Sequence, residues 1–298
     1  MLYESAAHSE CVRSVEPDFV KSFSVLRTAL RCEKQKTEAS SLLNQPENPT
    51  AMFLMLGSMA CIVGASEAFE PMFEDLLAGR VEAIGDWSAS HLAKSLAWQL
   101  RHEKKCSLFL NAVPLEAHEA AISAGFRVPE IEDGSTPAFL YWFKGEPRFA
   151  ELVRHSCRLG EGLELHELMR RGISYDEEGH YTKMCLENGP SFVCEVDGQP
   201  VCWSCTHLNG TMGMIYTPEE HRRRGYAKSL AAFQIDHMLR TEQFACCHVI
   251  QGNTASEEMV LGLGATKHDS PICWRMVLWP EEQLPALPEA PEKYEFSE

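Results

Sequence analysis

The hydrophobic pattern of this chain alternates between segments typical of strands and segments typical of helices. Residues 51–65 contain no charged side chain, and they predict a buried strand and turn because a membrane-spanning helix needs about 20 apolar residues. Residues 191–196 and 201–206 flank Asp197-Gly198, a dipeptide typical of tight hairpin turns. Strands and helices that alternate in this way predict an α/β or α+β protein.

The C-terminal half contains the clearest amphipathic helix, over residues 226–241. Its apolar stripe consists of Ala227, Leu230, Ala231, Ile235, Met238 and Leu239. The pattern predicts a strand before this helix, over 212–217, and another after it, over 245–251. A further strand is predicted over 150–158.

The length of 298 residues suits two domains. Lys144-Gly-Glu-Pro147 is the best candidate for a junction, so we expect an N-terminal α/β half over 1–147 and a C-terminal domain over 148–280. From residue 281 the chain holds six Glu, one Lys and three Pro. This composition predicts a disordered acidic tail over 281–298.

The charge balance excludes some classes of partner. There are 27 Lys and Arg against 43 Asp and Glu, a net charge of −16. Nucleic acid or an anionic membrane would be repelled, so we expect no nucleic-acid partner and no membrane span.

The 12 cysteines are spread along the whole chain without a signal-peptide pattern, which predicts reduced thiols in an intracellular compartment, cytoplasmic or mitochondrial. Cys202 and Cys205 form a Cys-x-x-Cys pair on a predicted strand. Residues three apart on a strand face opposite ways, so we expect no metal site there.

One segment is basic against this acidic background. Arg222-Arg-Arg-Gly-Tyr-Ala227 follows a predicted strand and opens a predicted helix, where unpaired backbone N–H groups and the helix dipole favour phosphate. Gly225 allows close approach of the backbone, and the arginines add hydrogen-bond donors. A pyrophosphate site is therefore predicted at Arg222, Arg223, Arg224, Gly225, Tyr226 and Ala227. A solvated basic loop that caps a helix is the alternative.

The same residues resemble a known family. Arg222-x-x-Gly225-x-Ala227 after a strand is similar to the pyrophosphate loop of the GNAT superfamily of acyl-CoA-dependent N-acyltransferases. The strings Gly198-Gln-Pro-Val-Cys-Trp203, Tyr216-Thr-Pro-Glu-Glu-His-Arg-Arg-Arg-Gly-Tyr226 and Gly252-Asn-Thr-Ala-Ser256 resemble the glycine N-acyltransferase and glycine N-acyltransferase-like group. The likeness is clearest over residues 190–265, and over 1–145 it rests on length and layout.

This resemblance implies a mixed, splayed sheet flanked by helices, with acyl-CoA as co-substrate and no metal. The pantetheine arm would lie between strands 212–217 and 245–251, hydrogen-bonded to the backbone of Ile215, Tyr216 and Thr217, and Asn253 would contact cofactor or water. The amine of glycine or a similar small amino acid would attack the thioester. The alternatives are a catalytically silent acyl-CoA-binding protein and an N-acetyltransferase acting on a protein or polyamine amine.

The acid and base positions of the family are altered in this chain. The acidic residue often taken as the family's base aligns with Thr211, and a frequent tyrosine position aligns with Val260; neither side chain exchanges a proton at neutral pH. His207 and His248 are the candidates to replace the base, because imidazole titrates near neutral pH. A water chain, or positioning of the amine alone, is the alternative.

Two expectations concern the acceptor and the N-terminal half. Arg170 and Arg171 end a predicted helix, where they would bind an acceptor carboxylate or only balance the helix dipole. Residues 108–111 and 120–126 echo the strand, Asn, helix and Gly-aromatic ending of a GNAT domain, without a basic loop. The N-terminal half is therefore expected to be either a degenerate GNAT-like domain or an unrelated α/β cap.

Overall fold

The computed structural model describes residues 1–291 except 6–7, 17–24, 31, 34–38, 57, 83–90, 130–136, 146–148, 171–175, 177–178 and 243. The chain divides into two compact units. Unit 1 comprises Met1–Pro137 and the chain from Pro271 onward, and unit 2 comprises Ala138–Ser270. The sequence instead predicts a junction at 147/148 and a second domain that continues to 280.

The elements are numbered here in chain order. The strands are β1 (Leu2–Ser5), β2 (Ser40–Leu43), β3 (Ala51–Leu56), β4 (Met59–Gly64), β5 (Val81–Glu82), β6 (Ser107–Pro114), β7 (Ala138–Phe143), β8 (Ser156–Leu159), β9 (Ser191–Val196), β10 (Gln199–Thr206), β11 (Met212–Tyr216), β12 (Ala245–Ile250) and β13 (Thr266–Leu278). The helices are α1 (His8–Val15), α2 (Phe69–Leu77), α3 (His91–Glu103), α4 (Leu115–Ala124), α5 (His166–Arg170), α6 (His180–Asn188), α7 (Tyr226–Glu242) and α8 (Thr254–Leu261).

Unit 1 contains a mixed sheet with the strand order β5-β1-β2-β3-β4-β6-β13. Strands β1 to β4 form an antiparallel meander. Strand β6 then pairs with β4 in parallel, and the unit 1 part of β13 pairs with β6 antiparallel. Every residue of β3 is buried, which explains the long uncharged run: Phe53 and Met55 pack into one hydrophobic cluster, and Met52 and Leu54 pack into another.

Unit 2 has the same order of strand types. Strands β8 to β11 form an antiparallel meander, β12 is parallel to β11, and β7 is antiparallel to β12. Helix α7 connects β11 to β12, and α8 follows β12. The predicted stripe of α7 is confirmed, because Leu230, Ala231, Ile235, Met238 and Leu239 are all buried.

The two units therefore repeat one topology, but the strand that follows the last helix of each unit pairs in the other unit. Helix α4 follows β6, as α8 follows β12, yet β7, the next strand after α4, pairs in unit 2. Strand β13 follows α8, and its later part pairs in unit 1. The pairing of β7 along the whole of β12 explains why the unit boundary precedes residue 138. The repeat favours a degenerate copy of the C-terminal fold over an unrelated cap for the N-terminal half.

The strand predicted over 150–158 is only partly correct. Residues Phe149–Leu152 form a 3-10 turn, and the strand is limited to Ser156–Leu159. The intervening backbone is bound to α7 instead of a strand: the amides of Arg154 and His155 both donate to Ser229 Oγ, at 2.8 and 3.1 Å.

The first part of the predicted disordered tail is ordered. Residues Glu281–Gln283 form a 3-10 turn, and Leu284 and Leu287 pack against the hydrophobic core of unit 1. Composition misses this because two leucines are enough to hold a short segment on an apolar surface. Residues 292–298 lie outside the described residues.

This contact predicts a measurable stability. Replacing Leu284 and Leu287 together by Ala should lower the free energy of unfolding by about 2 kcal/mol, because two half-buried side chains lose apolar contact. Urea denaturation measures the change. A chain that ends after Pro291 is the control and should unfold like the wild type; an unchanged midpoint in the double variant would contradict the packing.

Candidate functional site

Strand β11 has a regular partner on only one side. It pairs with β10, with a register shift between Trp203 and Cys205, and Met214 on β11 has a φ of +53°. On the other side, the register between β11 and β12 consists of one residue pair, Met212 with Cys247. The two strands therefore diverge after Met212, and the backbone groups of the following residues on that edge have no ladder partner.

The residues predicted to bind pantetheine lie along this edge. Ile215, Tyr216 and Thr217 are half-buried and follow the bulge at Met214. The Tyr216 ring packs against Trp203 with a centroid separation of 5.5 Å. Trp203 itself is buried in a hydrophobic cluster, so it supports the strand from the core. After Met212, the backbone of β11 is thus paired with β10 on one edge, and its edge toward β12 has no ladder partner.

The predicted phosphate loop connects this strand to α7. A 3-10 turn at Glu219–His221 reverses the chain, and Arg222 Nε then donates to Thr217 O at 2.9 Å. The Arg222 guanidinium also lies 5.9 Å from the centroid of the Tyr216 ring. Arg222 therefore fixes the loop to the end of β11 and is committed to a structural contact.

The turn into α7 leaves its backbone donors uncommitted. Arg223 and Gly225 have positive φ values, +63° and +84°, and glycine tolerates this conformation at no steric cost. In the described part of the chain, the amides of 223–228 donate to no protein acceptor, and the first bond is Ser229 N to Gly225 O at 3.0 Å. The side chains of Arg223 and Arg224 are exposed. This is the geometry of an anion site.

His155 contacts the loop through its imidazole ring, and no sequence pattern predicts this contact. His155 Nε2 lies 3.1 Å from Arg224 O, and its ring packs edge-on against Tyr226 at a centroid distance of 4.5 Å. Tyr226 is buried in a hydrophobic cluster. The predicted loop residue Tyr226 therefore anchors the loop in the core, and His155 holds the carbonyl that precedes Gly225.

His207 lies over β11 and is held by α6. Its Nδ1 is 3.0 Å from Tyr181 Oη. A Cβ atom on Gly213 would fall 1.9 Å from His207 Nε2, so only glycine at 213 lets the imidazole lie on the strand. Asp176 fixes the start of α6 by accepting bonds from the amides of Tyr181 and Thr182 at 3.1 and 2.7 Å.

His248 occupies the neighbouring strand β12. Burial, and then the nearby imidazole of His207, lower the pKa of His248 to about 3. His248 is therefore neutral at pH 7 and a weak base. The structure brings the two predicted histidines close enough to interact, and it gives them different environments.

The two altered family positions have structural roles. Thr211 is buried, and its hydroxyl donates to Asn209 Oδ1 at 2.8 Å, which closes the turn before β11. Val260 is buried in the hydrophobic cluster of α7 and α8. Neither side chain offers a titratable group to the site.

The remaining predicted residues have local partners. The Asn253 side chain caps α8 by accepting a bond from Ser256 N at 3.2 Å. Arg170 Nη1 lies 3.3 Å from Glu167 Oε1, and Arg171 lies outside the described residues. Cys202 and Cys205 belong to separate hydrophobic clusters.

Within the ranges that the structure describes, no group of three His, Cys, Asp or Glu side chains could hold a metal ion. No helix among the described residues is long and apolar enough to cross a membrane.

Comparisons with known proteins agree with this geometry. Residues 194–274 match the family model described as FR47-like protein. A Drosophila protein of known crystal structure is similar in fold, with a TM-score of 0.63 and 14% identity over 93% of this chain and 98% of that chain. A tandem GNAT protein from the clavulanic acid biosynthesis pathway has a TM-score of 0.50 and 12% identity, over 94% of this chain and 98% of that chain. No curated protein matches the chain in sequence.

At these identities the structural likeness shows the fold. A tandem GNAT protein as structural neighbour fits the repeated topology of the two units. The family match covers the predicted phosphate loop, and all but its last four residues belong to unit 2. The fold is thus similar to that of a tandem GNAT protein, with two GNAT-like halves, in agreement with the fold that the resemblance implies.

The low pKa of His248 predicts a pH-dependent stability. The folded protein keeps His248 neutral down to about pH 3, whereas the unfolded chain takes up a proton near pH 6.5. Unfolding therefore binds a proton between these values, and stability falls as the pH falls. Between pH 6 and 4 the wild type should lose about 1.4 kcal/mol per pH unit more than His248→Gln, by urea denaturation.

Gln199→Asn, which changes no titratable group at an exposed position of the same unit, is the control and should keep the wild-type pH slope. Equal pH slopes for wild type and His248→Gln would show that His248 is not held neutral in the fold.

Proposed function

We propose that unit 2 binds an acyl-CoA thioester and transfers its acyl group to the amine of glycine or a similar small amino acid. The observation that carries this proposal is the row of uncommitted amides at 223–228, directly after a strand that diverges from its parallel neighbour. A pyrophosphate on the loop and a pantetheine arm along β11 would satisfy both sets of backbone groups.

The reaction needs a neutral amine beside the thioester carbonyl. The nitrogen forms a bond to the carbonyl carbon, the carbon–sulfur bond breaks, and the thiolate of coenzyme A leaves. One proton must be removed from the amine. Because a thiolate is a good leaving group, the base matters more than the acid, and the absence of a tyrosine at Val260 is tolerable.

His207 is the base that the geometry favours. When Nδ1–H donates to Tyr181 Oη, Nε2 is left with its lone pair, and Nε2 lies over Gly213 on β11. Tyr181 holds the Nδ1 side of the His207 ring, and Gly213 provides the space for the ring.

Arg170 is the candidate for an acceptor carboxylate. A Cβ atom on Gly179 would fall 2.6 Å from two carbons of the Arg170 side chain, so Arg170 lies beside the residue that precedes α6, two positions before Tyr181. Glu167, which pairs with Arg170 at 3.3 Å, is exposed. An incoming carboxylate can compete with such an exposed ion pair.

One alternative is a protein that binds acyl-CoA without turnover. The burial of Thr211 and Val260 favours it, since both usual proton-transfer positions are structural. An N-acetyltransferase for a protein or polyamine amine is a further alternative, because the net charge of −16 attracts cations.

A thiol-release assay separates these functions. Acetyl-, benzoyl- and long-chain acyl-CoA are each supplied with glycine, glutamine or a polyamine. Turnover with glycine or glutamine is expected, and His207→Gln and Gly213→Ala should each lower kcat at least about 100-fold with coenzyme A affinity within twofold. Saturable coenzyme A binding without any turnover would support the alternative of a silent acyl-CoA-binding protein. Turnover with the polyamine alone would support the alternative of an N-acetyltransferase.

The phosphate loop is tested separately by charge reversal. Arg224→Glu should weaken coenzyme A binding about tenfold or more, because it places a carboxylate beside the pyrophosphate. Arg240→Glu makes the same charge change at the other end of α7, where Arg240 pairs with Asp236, and should alter the affinity little. Isothermal titration measures both, and equal effects would argue against the loop assignment.

A further inference from the structure

Strands β8 and β9 place two cysteines directly opposite each other. Cys157 on β8 is in register with Cys194 on β9. Three positions further along this register, the amide of Gly160 donates to Ser191 O at 2.8 Å. Because hydrogen-bonded and non-hydrogen-bonded pairs alternate along an antiparallel ladder, Cys157 and Cys194 form a non-hydrogen-bonded pair, with Cα atoms about 4.5 Å apart. This separation lies within the range that a disulfide spans.

Both cysteine side chains lie on the face of the sheet that α7 covers. Cys157 and Cys194 pack in one hydrophobic cluster with Tyr226 and Leu230 of that helix. Cys157 Sγ lies 3.9 Å from Oγ of Ser229, which is also on α7. The two sulfur atoms are therefore on the same side of the sheet, on neighbouring strands and within reach of each other.

The two thiols differ in acidity. A hydrogen bond from the Cys194 thiol lowers the pKa of Cys157; burial opposes this, and the Ser229 hydroxyl lowers the pKa further. Ser229 Oγ accepts the amides of Arg154 and His155, so its hydroxyl hydrogen is available to the Cys157 sulfur. The same hydrogen bond to Cys157, and then burial, raise the pKa of Cys194. The thiolate of the pair is therefore on Cys157.

The two thiols also differ in their access to solvent. The structure describes all twelve cysteines, and ten of them are buried, whereas Cys11 and Cys157 are half-buried. Cys157 lies on β8, which among the described strands pairs with β9 alone, and Cys194 is fully buried. An accessible thiolate with a second cysteine beside it is the arrangement of a redox-sensitive site.

A third cysteine lies in the same row but is less suited to react. Cys202 on β10 is in register with Cys194 from the other side. Its sulfur accepts a hydrogen bond from Thr217 Oγ1 at 3.1 Å, and burial raises the pKa of its thiol to about 11. Cys202 is fully buried, so a solvent oxidant reaches Cys157 first.

We propose that Cys157 is an oxidation site that forms a reversible disulfide with Cys194, with hydrogen peroxide as the oxidant. The thiolate sulfur of Cys157 attacks one peroxide oxygen, the O–O bond breaks, and Cys157 becomes a sulfenic acid while the other oxygen leaves as hydroxide. The Cys194 sulfur loses its proton and attacks the sulfenic sulfur, the S–O bond breaks, and a second hydroxide leaves. Two thiols are oxidised to one disulfide, and one peroxide is reduced to two waters. This site does not depend on the acyl transfer proposed for unit 2.

Peptide mapping of the full-length, folded protein tests the pairing. After exposure to hydrogen peroxide, unreacted thiols are blocked and the chain is cut with trypsin and a glutamate-specific protease. Residues 155–158 and 188–195 are then separate peptides with one cysteine each. These two peptides are expected as a disulfide-linked pair that dithiothreitol separates. Recovery of both with blocked thiols, or linkage of 188–195 to the peptide that contains Cys202, would overturn the proposal.

Three variants test the order of the two steps. Cys194→Ser keeps a hydroxyl donor beside Cys157 and should stop the reaction at the sulfenic acid, which dimedone traps on Cys157. Cys157→Ser should leave Cys194 unoxidised, because Cys194 is buried. Cys11→Ser, at the other half-buried cysteine, is the matched control and should form the disulfide as the wild type does.

The variants can also contradict the proposal. Oxidation of Cys194 in Cys157→Ser, or no dimedone adduct on Cys157 in folded Cys194→Ser, would show that Cys157 is not the reactive thiol. Loss of the disulfide in Cys11→Ser would show that the pairing does not arise within the β8–β9 ladder. If Cys194→Ser fails to fold, the peptide map of the wild type decides the question without it.

Discussion

The divergence of β11 from β12 is the constraint on which the site depends. Backbone amides and carbonyls must be paired by a ladder, by solvent or by a ligand, and β11 loses its second ladder after Met212. The positive φ of Met214 and the register shift against β10 bend the strand out of the sheet. Because the meander holds its other edge, the bend opens a gap between strands while the sheet stays intact.

The same bend determines the surroundings of the gap. Gly213 gives the His207 ring room on the strand, and Thr217 at its end receives the Arg222 side chain. The loop is thus fixed at Thr217 and passes through Arg223 and Gly225, which have positive φ values. Amides that donate to no described protein acceptor then lie at the start of α7. His155 completes the support by binding the carbonyl of Arg224. Strand β11, the loop and the candidate base His207 are therefore held together by direct contacts.

The N-terminal unit has the same strand topology without an arginine-rich loop. Its parallel pair, β4 and β6, has the topology of β11 and β12. The connection into α2 carries Glu67 and Glu70 instead of arginines, so the field at this helix start opposes phosphate.

The sequence predicts features that are local and misses features that are not. The predicted phosphate loop is six contiguous residues at the start of an amphipathic helix, so residue type and spacing are enough to predict it. His207 contacts Tyr181, 26 residues away in the chain, and His155 contacts Arg224, 69 residues away. No local pattern of residue types predicts either contact. The sequence does not reveal the exchange of β7 and β13 for the same reason, because the pairing of a strand depends on residues far from it in the chain.

We propose that the gap and the loop of unit 2 together bind coenzyme A, and a coenzyme A titration followed by backbone amide NMR tests this. Saturable shifts are expected at 215–217 and 223–227 with one affinity, and no shift is expected at Ser66–Ala68 of unit 1. Unperturbed amides at 223–227, or equal shifts in both units, would contradict it.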